Sequence, residues 1–129
     1  MKRLWIVFLL CAIVLLLCSC KTKVNKNADV TLTFITESEN ISVVLEDADA
    51  ERVAKILDGN DYNSVMSVPS CGFSKDISLK VGNRTFAIAR DTCRTIQDCG
   101  NLRFFSVSQE DMDYIHSLFA RYGGHFPCI

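Results

Sequence analysis

The sequence has little of what catalysis usually needs, because its 129 residues include only two histidines, His116 and His125. No set of serine, histidine and aspartate can be assembled from the spacing, and the sequence lacks a nucleophile elbow, a P-loop and a glycine-rich phosphate cradle. It also lacks the Cys-x-x-Cys pair that structural zinc sites usually contain. These absences indicate a protein that is not an enzyme and holds no metal or cofactor. A hydrolase that uses either histidine is the alternative.

Basic residues are scarce in the part of the chain that is expected to fold. Every acidic residue lies at Asp29 or later, whereas five of the 14 basic residues precede it. The other 9 basic residues face 15 acids, so this part carries a net charge of −6. A domain this acidic has no electrostatic reason to bind nucleic acid, and that class of partner is excluded.

A basic start and an apolar run open the chain. Lys2 and Arg3 precede the run, which extends from Leu4 to Cys18 and comprises fifteen residues. A helix that spans a bilayer needs ~20 apolar residues, and a shorter run after a basic start is typical of a secretory signal. An uncleaved anchor or an ordinary secretory signal would begin in the same way.

The end of the run, Leu17-Cys18-Ser19-Cys20, resembles the lipobox of bacterial lipoproteins. The resemblance implies a signal peptide over residues 1–19, cleavage just before Cys20 and a diacylglycerol on the Cys20 thiol. It also implies an extracytoplasmic location, with membrane lipid as one partner, at the cell membrane or an outer membrane.

After the lipobox the chain is polar and without periodicity up to Ala28, which predicts that residues 20–28 form a lipidated cysteine and a flexible tether. The tether lysines can attract anionic headgroups or can belong to an ordinary solvated linker. A single small domain is expected over residues 29–129. The tether lysines are Lys21, Lys23 and Lys26.

Four cysteines remain in the mature chain, namely Cys71, Cys93, Cys99 and Cys128. An even number in a small exported domain predicts a disulfide framework, for which three connectivities exist. The expected topology brings all four to one edge of the domain. We predict Cys93–Cys99 and Cys71–Cys128, with crossed pairings open because the four are expected to be neighbours. A metal- or thiol-dependent role of this cluster, with His125 close in sequence, is the competing hypothesis.

Hydrophobic periodicity predicts an α+β fold with an antiparallel sheet of four to six strands, two helices packed on one face and disulfide clamps. Strands are expected over 30–36, 41–45 and 102–107, and helices over 47–58 and 108–122. Gly82-Asn83 is a favoured two-residue hairpin loop. The register that keeps the large apolar residues on one face pairs Val81 with Arg84, Leu79 with Phe86 and Ile77 with Ile88.

Together these patterns predict a small bacterial lipoprotein with a non-catalytic binding domain outside the membrane. Its partner would be a protein or an envelope component, engaged through an exposed face or edge of the sheet. An inhibitor or immunity-type lipoprotein is a variant that the small size and the acidic charge permit.

Overall fold

A computed structural model of the chain describes residues 1–17, 21–37, 39–64, 66, 68–124 and 126. Its elements are a helix, two strands, a second helix, four strands and a third helix. The elements in chain order are α1 (Lys2–Leu17), β1 (Val30–Ile35), β2 (Asn40–Val44), α2 (Asp47–Leu57), β3 (Ser78–Val81), β4 (Arg84–Ile88), β5 (Thr95–Asp98), β6 (Arg103–Ser106) and α3 (Gln109–Arg121).

The six strands form one antiparallel sheet in the order β2-β1-β3-β4-β5-β6. The chain makes the β1–β2 hairpin, crosses the sheet through α2 and returns as β3 on the other side of β1. From β3 onwards, each strand pairs with the next one in the chain. The turns β3–β4 and β5–β6 therefore lie at the same end of the sheet, which we call the upper end.

Both α2 and α3 pack on one face of this sheet and close a single core. In α2 the buried residues recur at the spacing of one helical face, and α3 buries a similar stripe. Burying one stripe of each helix on one face of a sheet is the usual way in which an α+β domain covers its apolar surface. The stripe of α2 is Val53, Ala54, Ile56 and Leu57, and that of α3 is Met112, Ile115, Leu118 and Phe119.

The predicted fold class is confirmed, and the central hairpin has the predicted register. Val81 pairs with Arg84 and Leu79 with Phe86. α2 begins at Asp47, where the predicted helix begins, but its N-cap is Glu46 and not Asp47, and Glu46 makes no side-chain capping bond. At the start of α3, the Ser108 side chain accepts a hydrogen bond from the backbone N–H of Asp111, as the capping pattern indicates.

One strand, β5, lies outside the strands that the sequence predicts. β5 is only four residues long, and it ends in a charged residue, so its alternation is too short to recognise in the sequence. Ile96 and Asp98 nevertheless point to the core side and are buried. This strand separates the cysteines that flank it.

The first helix, α1, has exposed apolar side chains, among them Trp5 and Phe8. In the part of the chain that the structure describes, no helix is both long and apolar enough to cross a membrane.

Candidate functional site

The segment that follows the lipobox is packed against the domain. Thr22 is completely buried, and its hydroxyl donates a hydrogen bond of 2.6 Å to the carbonyl of Leu57 at the end of α2. The same hydroxyl accepts a bond of 2.9 Å from the backbone N–H of Asn60. The backbone of Thr22 pairs with that of Asn60 and with the N–H of Gly59. Thr22 is therefore fixed by both its side chain and its main chain.

Further contacts hold the segment along its length. The backbone N–H of Val24 donates a bond of 3.1 Å to the Asp58 carboxylate, which also pairs with the Lys26 ammonium at 3.3 Å. The Arg84 guanidinium donates to the carbonyl of Lys23. Residues 21–28, predicted to form a flexible tether, therefore lie against the domain, where the segment finds hydrogen-bond and apolar partners that its own polar composition did not reveal.

A buried carboxylate joins this segment to the sheet. Asp98, at the end of β5, is 1% exposed and forms an ion pair with Arg84. It accepts a 2.5 Å bond from the Tyr62 hydroxyl and a 3.0 Å bond from the backbone N–H of Gly100. The guanidinium of Arg103 lies 4.7 Å from the centre of the Tyr62 ring. We call Tyr62, Arg84, Asp98 and Arg103 the Asp98 cluster.

The Asp98 cluster is built to hold elements together. Burial raises the pKa of Tyr62, and its hydrogen bond to the Asp98 carboxylate raises it further, so the hydroxyl keeps its proton at neutral pH. The three donors to the Asp98 carboxylate satisfy a charge that would be costly to bury alone. Arg84 donates on one side to Asp98 and on the other to the N-terminal segment. The cluster therefore couples the N-terminal segment to β4, β5 and the chain after α2.

A second polar cluster fixes α2 against α3. The Asp49 carboxylate accepts a 2.5 Å bond from the Tyr114 hydroxyl and a 2.6 Å bond from Arg121. Burial, followed by the hydrogen bond to Asp49, raises the pKa of Tyr114 to about 12. The guanidinium of Arg52 lies 3.8 Å from the centre of the Tyr114 ring. These contacts join α2 to α3 within the helix pair.

A cleft of about 480 Å³ lies between the N-terminal segment and α2. Its two lysines are already paired, Lys26 with Asp58 at 3.3 Å and Lys55 with Glu51 at 2.8 Å. Asp29 and Asp47 also line it. Because paired lysines and additional carboxylates surround the cleft, it does not favour an anionic ligand.

The cysteine pairing differs from the prediction. The structure joins Cys71 to Cys93, with a Cα–Cα separation of 6.5 Å, and leaves Cys99 as a free thiol. The predicted pairs Cys93–Cys99 and Cys71–Cys128 are therefore wrong. Cys93 and Cys99 lie at opposite ends of the extended β5, so their Cα atoms are roughly 20 Å apart at ~3.3 Å per residue. A disulfide needs a separation below ~7 Å.

The same geometry weakens the metal and thiol hypotheses. The ligand atoms of Cys71, Asp91 and Cys93 lie within 4.8 Å of one another, but both sulfurs belong to the disulfide and offer no thiolate. Burial raises the pKa of the Cys99 thiol, which makes it a poor nucleophile at neutral pH. Among the described cysteines of the mature chain, Cys99 lies at the far end of β5 from Cys71 and Cys93, so these three sulfurs do not share one site.

His116 is half-buried on α3 and stacks on Phe126, with 4.1 Å between the ring centres. Burial lowers the pKa of its imidazole, and its Nε2 atom has no hydrogen-bond partner among the described residues. This environment is that of a packing residue. The other histidine, His125, and the predicted sites Cys20 and Cys128 lie outside the described residues.

The strand β2 is at an edge of the sheet and pairs only with β1 within the described ranges. The Leu45 N–H bonds to the Val30 carbonyl, so the backbone groups of Ile41 and Val43 face β1. Backbone groups face outwards, away from β1, at the alternate residues Asn40, Ser42 and Val44. At the opposite edge, Asn63 donates its backbone N–H to the Phe104 carbonyl and covers part of β6.

Exposed apolar side chains accompany the β2 edge. Val44 is 63% exposed and Ile35 50% exposed, and both point to the face away from the helices. Between them lie Thr33 and Ser42, which are polar and small. Such a face suits contact with another extended chain better than it suits a small ligand.

Sequence reasoning missed two of these features, the buried Thr22 and the buried Asp98. Thr22 lies in a stretch with no apolar period, so no local signal separates it from linker residues. Asp98 shares the alternation of Ile96, and recognition of β5 would have placed both side chains on the core face.

Comparison of the chain with family models, with curated proteins and with solved structures gives no match. The functional argument therefore depends on the residues and contacts described above.

Proposed function

We propose that the protein is a bacterial lipoprotein whose acylated Cys20 holds a non-catalytic binding domain on the outer side of a membrane. The lipobox-like sequence supports the anchor. The Cys71–Cys93 disulfide agrees with an exported protein, because disulfides form and persist in oxidising compartments.

The observation that carries the binding function is the outer edge of β2, which no other strand of the described residues covers. Outward backbone groups of this strand can pair with an extended segment of a partner, which is the mode called β-augmentation. An edge of this kind is usually covered, charged or interrupted in proteins that do not use it. Here Val44 and Ile35 add apolar contact area next to the edge.

Charge around the edge favours a basic partner segment. Glu37 and Glu39 lie before β2 and Glu46 follows it, all outside the strand itself. Complementary charges raise the rate of association and fix the register of the two chains. The partner is therefore a protein or envelope component with an extended segment that carries lysine or arginine at its ends.

The anchor and the edge are tested separately. Labelled palmitate should enter the full-length protein and should be lost in Cys20→Ser. For the edge, Ser42→Pro removes an outward N–H without breaking the ladder to β1. Ser42→Ala keeps that N–H and is the matched control. Crosslinking in intact cells should give an adduct for the wild type and for Ser42→Ala but not for Ser42→Pro; equal adducts in all three would refute the edge.

A role for the cysteines in metal or thiol chemistry is less well supported, because two of them are joined and the free one is partly buried.

A further inference from the structure

Leu102, in the turn between β5 and β6, departs from two local preferences at once. Its φ angle is 57°, in the left-handed region that side-chain-bearing residues rarely adopt, and among the described residues it is the one non-glycine with a positive φ. It is also a large apolar side chain that is 67% exposed. Residues that break local preferences, such as a strained backbone or an exposed apolar side chain, are concentrated at functional and binding sites.

This turn lies at the upper end of the sheet, where the N-terminal segment is bound. Asp98, the residue before the turn, bonds to Arg84, and Arg84 bonds to the carbonyl of Lys23. A second connection runs through Tyr62, which bonds to Asp98 at 2.5 Å. Its neighbour Asp61 pairs with the Lys21 ammonium at 3.6 Å. Lys21, the residue after the proposed lipid anchor, is thus connected to the β5–β6 turn through two contacts, Lys21–Asp61 and Tyr62–Asp98.

The fixed position of Thr22 limits how far the domain can stand from the bilayer. Two peptide units separate Cys20 from Thr22, and an extended chain covers at most ~3.6 Å per residue. The acylated cysteine is therefore within about 7 Å of a residue that is completely buried in the domain. A lipid attached there must bring the upper end of the sheet against the membrane surface.

On this basis we propose that the β5–β6 turn lies in the interfacial region of the bilayer, with the Leu102 side chain among the lipid chains. The inference rests on the proposed lipidation of Cys20. It adds an orientation: the domain sits upper end down, so that the lower end of β2, at Asn40, points away from the bilayer.

The chemistry of this end fits an interface with lipid headgroups. Lys21 and Lys23 are exposed beside the anchor, and the ion pair between Lys21 and Asp61 is exposed on both sides, so it competes weakly with phosphate groups. In interfacial attachment, apolar side chains enter the boundary and lysines remain at the headgroups, and Leu102 and the two exposed lysines supply these two kinds of side chain.

A tryptophan scan tests the orientation, because the only tryptophan, Trp5, lies in the predicted signal and the mature chain has none. Leu102→Trp is compared with Ile35→Trp, a control at the lower end of β1 that is 50% exposed. Both side chains are exposed, so neither substitution requires space in the core. The lipidated proteins are reconstituted into phosphatidylethanolamine–phosphatidylglycerol vesicles, with and without bromine on the acyl chains.

Leu102→Trp should lose about half of its emission in brominated vesicles, because interfacial side chains reach ~5–10 Å into the headgroup and acyl boundary. Ile35→Trp should keep its emission. Equal quenching of both variants, or no quenching of Leu102→Trp in a protein that carries palmitate, overturns the inference while the anchor stands. A blue shift of Leu102→Trp without bromine quenching assigns Leu102 to a protein contact and also overturns it. Failure of palmitate to enter the protein refutes the anchor and the orientation together.

Discussion

The hydroxyl of Thr22 donates a hydrogen bond of 2.6 Å to the carbonyl of Leu57, the last residue of α2. This contact joins a residue just after the predicted lipidation site to the end of a core helix, 35 positions later in the chain. Because the Thr22 side chain is fully buried, the bond is shielded from water. It makes the predicted tether part of the domain.

Replacement of Thr22 by valine should destabilise the protein by about 1–3 kcal/mol, because the Leu57 carbonyl and the Asn60 N–H lose a buried partner while the shape is kept. The free energy of unfolding from urea titration measures this loss. Thr31→Val, on the face away from the core, is the control and should stay within about 0.5 kcal/mol of the wild type. A Thr22→Val protein as stable as the wild type would show that the segment is not bound.

Asp98→Asn should cost about 2–3 kcal/mol, since Arg84 would lose its buried counter-ion and Tyr62 its carboxylate acceptor. This expected loss of stability is small for a buried ion pair because the Arg84 side chain is 30% exposed. Asp61→Asn is the matched control, as it removes a pair that is 78% exposed at the aspartate and should change stability by less than about 0.5 kcal/mol. Comparable losses in the two variants would contradict the structural role of the Asp98 cluster.

The binding of the N-terminal segment should weaken in acid. The Val24 N–H, followed by Lys26, holds the pKa of Asp58 below its ordinary value of 3.8. The folded protein therefore binds this proton less readily than the unfolded chain, so the stabilisation is complete above pH 3.8 and is lost as the pH falls through the lower, folded pKa.

Amide hydrogen exchange of Val24, corrected for the intrinsic pH dependence, measures this loss. Its protection should fall below pH 3.8 in the wild type. In Asp58→Asn protection should be reduced already at neutral pH and should show no such step. An identical acid step in the variant would assign the titration to another group.

The disulfide pairing can be determined by identifying which cysteines are joined and which are free to react. Peptide mapping after alkylation without reductant should show Cys71 and Cys93 joined and Cys99 modified, slowly at neutral pH because burial raises the pKa of its thiol. Replacing Cys71 and Cys93 by alanine should lower stability by about 3 kcal/mol, as expected for a closed loop of this length. Cys99→Ala should leave the Cys71–Cys93 peptide intact. Recovery of a Cys93–Cys99 peptide would restore the original prediction.

Leu102→Gly should stabilise the protein by about 1 kcal/mol, since glycine adopts a φ of 57° without the steric cost that a Cβ atom brings. Leu102→Ala removes the apolar side chain but keeps the Cβ atom, and should stay within about 0.5 kcal/mol of the wild type. Thermal melting of the three proteins measures the difference. Equal melting temperatures of the glycine and alanine variants would show that the turn is unstrained.

Local patterns in the sequence determined the elements that carry their own signal. The alternation around Gly82-Asn83 specifies the register of the β3–β4 hairpin, because a slip by one residue would expose every large apolar side chain. The capping residues and the apolar stripe of α3 specify that helix in the same way. Each of these signals depends on only a few neighbouring residues. The fold class follows from the order of the predicted strands and helices along the chain.

Contacts between distant parts of the chain were decided only by the tertiary structure. The partner of Cys93 depended on β5, whose four residues are too few for a recognisable alternation. The buried position of Thr22 depended on α2 ending beside it, and no periodicity in a polar segment reveals such a partner. Local propensity determines which strands and helices form, whereas their three-dimensional arrangement determines which cysteines meet and which polar residues are buried.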